Sequence, residues 1–268
     1  MLMSDVLYEA GDGIATIVLN RPDHMNTMGG ELVQLAAAAM ERAAADDSIQ
    51  VLILTGAGRA FCAGGDLRGF GASGAASAHR QDGLDASIAN LRHHMRTSEL
   101  LHGMPKVTIA AINGACAGAG LAWACACDLR YAASSAMFNT AFMTAGLSGD
   151  FGGTWTLPRI VGPAKARELY LLAEKFTAHE ALRLGLVSAV VNDGELAGFV
   201  RERATRIAAF APLTLRAIKA NLNDAMDGGF AEQLDREADR HVRCARTEDA
   251  GEAARAFLEK RRPVFQGR

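Results

Sequence analysis

KVTIAAINGACAGAGLAWACACDLRYAA, residues 106–133, is the stretch whose reading decides the fold. From Val107 to Cys127 it carries no charged side chain, and it is about as long as a membrane-spanning helix. Its composition argues against a span. Asn113, Gly114, Gly118 and Gly120 interrupt the run, and its opening, KVTIAAI, is rich in β-branched residues. The stretch therefore reads as a buried strand, a glycine turn and a buried helix, followed by a further strand in DLRYAA.

The same alternation extends outward from this stretch. GIATIVLN (13–20) and VLILTG (51–56) read as strands, and residues 31–45 read as a helix with Leu32, Leu35, Ala36, Ala39 and Met40 on one face. Strands interleaved with helices at this spacing predict an α/β core. Beyond Pro158 the strand signals nearly stop. Thr177 and Glu180 form a capping box at the head of TAHEALRLG, with Gly185 as its stop, and helices are expected over 195–209, 213–225 and 230–245. In the last segment, AGEAARAFLEKRR, Ala254, Phe257 and Leu258 share an apolar face that is expected to dock on something. Residues 69–83, rich in glycine, alanine and serine, read as a mobile loop. No fixed-period sequence repeat is visible.

Lys and Arg number 28 against 30 Asp and Glu, so no overall field draws the chain to nucleic acid or an acidic membrane surface. The cysteines are five, and the opening MLMSDVLYEAGDG lacks a basic end followed by an apolar run; a reducing cytoplasm is the expectation. Cys125 and Cys127 are two apart, which puts them on different faces of a helix and matches no zinc spacing. Buried thiols are expected there, and no metal. His93 and His94 read as part of a solvated helix face, and Asp128 as a structural turn or salt-bridge residue.

Two glycine-rich turns carry the candidate chemistry, GAGRAFCAGGDL (56–67) and NGACAGAGLAWACACD (113–128). Each follows an apolar strand. Small residues let a ligand approach main-chain N–H groups, and a turn that opens a helix aims unpaired donors and the positive end of the dipole at one point. Facing each other, the two turns would make an oxyanion hole; otherwise they are plain connections. Neither is a phosphate-binding loop, because no Gly-Lys-Ser/Thr follows. From Tyr131 to Pro158 the only Asp, Glu, Lys or Arg is Asp150, beside Phe151 and Trp155. Such a carboxylate is expected to have a raised pKa and to carry protons near neutrality. The competing reading makes Asp150 the N-cap of a helix beginning near Phe151.

LNRPDHMNTM (19–28), RAFCAGGDL (59–67), KVTIAAINGACAGAG (106–120), CDLRYA (127–132), GLSGDFGGTWTLPRIVG (146–162), ALRLGLVSAVV (181–191) and AFLEKRRPVFQGR (256–268) together resemble successive signatures of the enoyl-CoA hydratase/isomerase, or crotonase, superfamily. They cover nearly the whole chain in order. The resemblance implies a crotonase (ClpP-like) spiral of ββα units over residues 1–200 with an acyl-CoA site, and a C-terminal helical trimerisation region over 201–268. It implies trimers or dimers of trimers, an acyl-CoA thioester substrate, and no cofactor beyond the coenzyme A moiety of that substrate. By motif position the oxyanion donors would be the amides of Gly65 and Ala119, and coenzyme A would lie along Ala63, Asp66 and Leu67. Phe257 and Lys260 match terminal-helix positions that help hold coenzyme A, often from a neighbouring subunit.

The departures from the family pattern matter as much. Ala122 and Phe142 stand where a hydratase carries its two glutamates, and neither side chain can move a proton. Asp150 falls where some isomerases of the superfamily place an aspartate. Its surroundings resemble the ring-1,2-epoxyphenylacetyl-CoA isomerase group, except that Gly149 replaces a usual proline. An isomerase using Asp150, Gly65 and Ala119 is the expected activity. A hydratase with non-standard residues and an inactive acyl-CoA-binding protein are the alternatives.

Overall fold

The computed structural model describes residues 4–66 and 83–268. Strands β1 (Val6–Gly11) and β2 (Ile14–Leu19) form a hairpin. Its two turn residues, Asp12 and Gly13, both have positive φ, the pairing that suits a tight hairpin to strand twist. After helix α1 (Leu32–Ala45), strands β3 (Val51–Gly56), β5 (Val107–Ile112), β7 (Leu129–Ala133) and β10 (Ala189–Val191) add in parallel, giving a six-stranded sheet of order β1-β2-β3-β5-β7-β10.

A smaller sheet stands beside it. Its strands are β4 (Ala60–Cys62), β6 (Ala115–Ala117), β8 (Met137–Asn139) and β9 (Phe176–Thr177), hydrogen-bonded in that order. The chain crosses from the large sheet to the small one three times, from β3 to β4, β5 to β6 and β7 to β8. Helices follow each crossing: α2 (Leu84–His94) and α3 (Arg96–Gly103), then α4 (Ala119–Ala126), then α5 (Phe142–Ala145), α6 (Gly153–Val161) and α7 (Pro163–Leu172). This is the spiral of ββα units that the motifs imply. It repeats in space without repeating in sequence.

Both faces of the large sheet are covered, which explains apolar runs such as VLIL. Leu52 and Leu54 pack with Leu32, Met40, Phe61 and Trp123, while Val51 and Ile53 pack on the other side against Leu196, Val200 and Ala204. The last three belong to α9 (Leu196–Ala208), so the residue 200/201 boundary falls inside a helix that closes the outer face of the sheet. Helices α10 (Pro212–Asp224), α11 (Phe230–Ala245) and α12 (Glu248–Leu258) complete the chain.

The charge-free run of residues 107–127 is divided among β5, β6 and the eight-residue α4. Among the described residues no helix is long and apolar enough to cross a membrane. Asp128 is the structural residue expected: its Oδ2 accepts from the Thr108 amide at 2.7 Å and lies 2.8 Å from Nζ of the buried Lys219. Half of the capping box forms, at the head of α8 (Ala178–Arg183), where Thr177 Oγ1 accepts from the Glu180 amide at 3.2 Å. The Glu180 carboxylate turns instead to Arg183. On α12, Phe257 and Leu258 are 83% and 80% exposed; within this chain the helix buries Ala256 and Asp249.

The LNRPDHMNTM segment is a clamp. Asn26, fully buried, donates from Nδ2 to the carbonyls of Ala57 (2.9 Å) and Ala60 (2.7 Å), and its Oδ1 accepts from the Arg21 amide at 2.8 Å. Arg21 in turn donates to the Thr27 carbonyl and lies 3.6 Å from Asp5 and 3.8 Å from Asp66. Asn26→Ala would remove three hydrogen bonds to main-chain groups, one buried and two part-buried, so we expect a loss of about 1–3 kcal/mol. The check is a urea unfolding curve, whose midpoint should fall with no change in slope.

Candidate active site

β4 ends at Cys62 and leads into Ala63–Asp66, which is tied to the clamp. The Ala63 amide donates to the Met25 carbonyl at 3.1 Å, and the Met28 amide to the Gly64 carbonyl at 2.8 Å. Against this segment sits the turn that opens α4. A Cβ on Gly120 would lie 2.2 Å from the Cys62 carbonyl oxygen, so the two main chains meet without room for a side chain. Gly64 has φ +91°, and a Cβ there would lie 2.9 Å from the Ala117 carbonyl oxygen and 3.6 Å from the Ala119 nitrogen.

The structure thus brings Gly65 and Ala119 to one place. Neither amide finds an acceptor among the described residues, and a Cβ on Gly65 would meet nothing within 4 Å. On the other side of the gap, Ala119 is buried at the first turn of α4, whose N-terminus has no side-chain cap. Its open N–H groups and dipole add positive potential there. Because an amide donor is main chain, alanine at 119 could donate as well as glycine.

Asp150 sits in a loop with unusual backbone on both sides. Gly149 has φ +108°, which proline, fixed near −65°, cannot adopt. The proline found in the resembling isomerase group is therefore incompatible with this path. Phe151 has φ +48° although it is not glycine. It is held there by burial, by an edge-on contact with Trp123 (5.9 Å between centroids) and by a 2.8 Å bond from Ser98 Oγ to its carbonyl. A left-handed bulky residue costs about 1–2 kcal/mol, which these contacts offset.

The Asp150 carboxyl has one oxygen, Oδ1, buried with no hydrogen-bond partner. Burial pushes its pKa from 3.8 up to about 6, and among the described residues no cation opposes the shift. Its charge reaches back to the first turn, where it joins burial in pushing the Cys62 thiol up to about 12. The N-cap reading of Asp150 is overturned. α6 begins at Gly153 with Gly152 as its cap residue, and no side chain caps it. Only the Asp150 main-chain carbonyl takes part, accepting from the Gly153 amide at 3.2 Å.

Ala122 and Phe142 form apolar walls of the same region. Ala122 is buried on α4, and Phe142 Cζ would lie 3.8 Å from a Cβ on Gly118. The residues expected along coenzyme A divide. Ala63 and Asp66 flank the first turn, and Asp66 carries an ion pair with Arg21. Leu67 lies outside the described residues, as does most of the expected mobile loop. Phe257 lies in the last turn of α12 and Lys260 two residues beyond its end, and among the described residues no hydrogen bond or ion pair joins either to the glycine turns. Cys125 and Cys127 are buried, and burial raises both thiols, to about 11 and about 12.

The reading of the residues missed Tyr170, Phe151 and the clamp at Asn26. Tyr170 shares a helical stripe with Ala166, Leu169 and Ala173, which looks like ordinary core packing. Only the three-dimensional arrangement shows that its ring stacks on Phe142.

Residues 9–268 match the Enoyl-CoA hydratase/isomerase family. The chain is 37% identical to 1,2-epoxyphenylacetyl-CoA isomerase of Escherichia coli K12, over the whole of both chains. It is 34% identical to crotonyl-CoA hydratase of Syntrophomonas wolfei, over 99% of each. A crystal structure of enoyl-CoA hydratase from Bacillus anthracis superposes with a TM-score of 0.90 at 30% identity, covering 99% of this chain and 100% of that one. Two facing glycine turns, a ββα spiral and these matches have one explanation: this chain belongs to the enoyl-CoA hydratase/isomerase family of acyl-CoA enzymes.

Proposed function

We propose that this enzyme isomerises acyl-CoA thioesters through an enolate, with Asp150 as the single proton carrier. The thioester carbonyl oxygen accepts hydrogen bonds from the Gly65 and Ala119 amides. Asp150 removes a proton from the α-carbon of a Δ3-enoyl thioester, and negative charge builds on the held oxygen. As the carbonyl re-forms, the double bond moves to Δ2 and the same carboxyl returns the proton to the γ-carbon. Each well-placed amide lowers the barrier by roughly 3–4 kcal/mol. A ring-epoxide of phenylacetyl-CoA, rearranged through the same activated thioester, fits this reading and the name borne by the 37% identical relative.

The observation that carries the reading is the Asp150 carboxyl itself, desolvated, unpaired and held by a strained neighbour beside the paired turns. Hydration would need a second group to position water, and Ala122 and Phe142 supply none. Coenzyme A running along Ala63, Asp66 and Leu67 belongs to the same reading. So does assembly into trimers, in which the exposed Phe257 and Lys260 would meet coenzyme A of a neighbouring subunit.

Asp150→Asn should lower Δ3-to-Δ2 enoyl-CoA turnover by about 10²–10⁴-fold, and undiminished turnover would remove Asp150 from the mechanism. In the unmodified enzyme kcat/KM should rise with pH through about 6 and then level off, because the base must be ionised. A flat profile from pH 5 to 8 contradicts this. The stability effect has the opposite sign. A carboxyl whose pKa is higher folded than unfolded favours the folded state at low pH, and that advantage is lost as pH rises from about 4 through 6. Asp150→Asn should therefore raise the melting temperature relative to wild type more at pH 8 than at pH 4.

A further inference from the structure

The loop that bears Asp150 leans on one residue of α7. A Cβ on Gly153 would lie 2.5 Å from the Tyr170 hydroxyl oxygen and 3.2 Å from the Ala122 Cβ. A Cβ on Gly149 would lie 3.9 Å from Tyr170 Cε1. The tyrosine ring therefore lies close to the loop on both sides of Asp150. Its other face is stacked on Phe142, with centroids 6.2 Å apart and planes 13° from parallel. The backbone of α7 is tied down next door, where Thr140 Oγ1 donates to the Leu169 carbonyl at 2.8 Å.

So anchored, the hydroxyl has little freedom, and it forms no hydrogen bond with the described residues. Burial raises its pKa, and the Asp150 charge adds to the effect, so it remains a protonated donor at all ordinary pH values. Ala122, Phe142 and Gly153, which lie against it, bring no side-chain acceptor. The hydroxyl is not sealed from solvent, so water can bond it, and a ligand that displaces that water must supply an acceptor in its place or leave the hydroxyl unsatisfied. The neighbouring Asp150 Oδ1 is an unpaired acceptor in the same apolar region.

We propose that Tyr170 is a specificity-determining residue, its hydroxyl donating to an oxygen carried on the acyl group, so that the site favours oxygen-bearing acyl-CoA thioesters over bare hydrocarbon ones. The placement of the acyl group beside Asp150 rests on the function proposed above. A site that hydrogen-bonds a substrate oxygen discriminates against the analogue lacking it far more strongly than an apolar pocket discriminates by size.

The test is a binding cycle between wild type and Tyr170→Phe, with phenylacetyl-CoA and 2-hydroxyphenylacetyl-CoA as probes, read by calorimetry. Tyr170→Phe keeps the ring and its stacking, and the affinity for phenylacetyl-CoA reports whether the fold survives. Wild type should bind the hydroxylated thioester about tenfold more tightly than the plain one, and the variant should bring that ratio close to one. A wild-type ratio of one, a ratio that persists in the variant, or equal weakening of both ligands overturns the proposal. Turnover by Asp150→Asn is scored separately. Should that variant keep isomerase activity, the proton-carrier assignment fails, while the ligand ratio at Tyr170 stands or falls by its own measurement.

Discussion

Everything in the site depends on two main chains approaching each other more closely than side chains allow. The Cys62 carbonyl presses on Gly120, and Gly64 presses on the Ala117 carbonyl and the Ala119 amide. Any residue larger than glycine at these points would drive the turns apart and separate the Gly65 and Ala119 donors. The remainder of the fold serves this contact. The large sheet sets the spacing of the strands that lead into the turns, the small sheet receives them, and the Asn26 clamp fixes the first turn from behind.

The acid is supported from elsewhere. Phe151 is locked by Trp123 and Ser98, which belong to α4 and α3, and the loop is flanked by Tyr170 of α7. Three helices thus brace the loop that bears a carboxyl with no hydrogen-bonding partner among the described residues for one of its oxygens. Leaving a polar atom unsatisfied in this way is unfavourable for the folded state, and the surrounding aromatic packing holds it in place. The role proposed for Asp150, a base near neutrality, needs this environment, since a solvated carboxylate would be too weak.

Much of this was legible in the residues. The β-branched opening of KVTIAAI, the glycines after it and the lone charge between Tyr131 and Pro158 pointed to strand, turn, helix and acid before any coordinates. The three-residue strands β4, β6 and β8 were not legible, because a segment that short has no measurable period and owes its conformation to its neighbours in the small sheet. β1 also escaped notice: its alternation is weak, since five of its six residues are partly or wholly exposed. Asp150 shows the same limit at the site. Composition marked it as unusual but left helix cap and proton carrier in balance, and the left-handed residues at 151 and 152, which delay the helix to Gly153, removed the cap reading. Tyr170 was hidden because stacking on a distant phenylalanine leaves no trace in spacing.

The separation between the two halves of the site has an evolutionary consequence. On the proposed mechanism, thioester activation is written in backbone geometry, which point mutations of side chains rarely erase, whereas the choice of what happens to the activated carbon resides in a handful of replaceable positions on independent helices. A lineage can therefore exchange one reaction for another while never losing its grip on the acyl carrier, and catalytic novelty on this scaffold begins from an already polarised carbonyl.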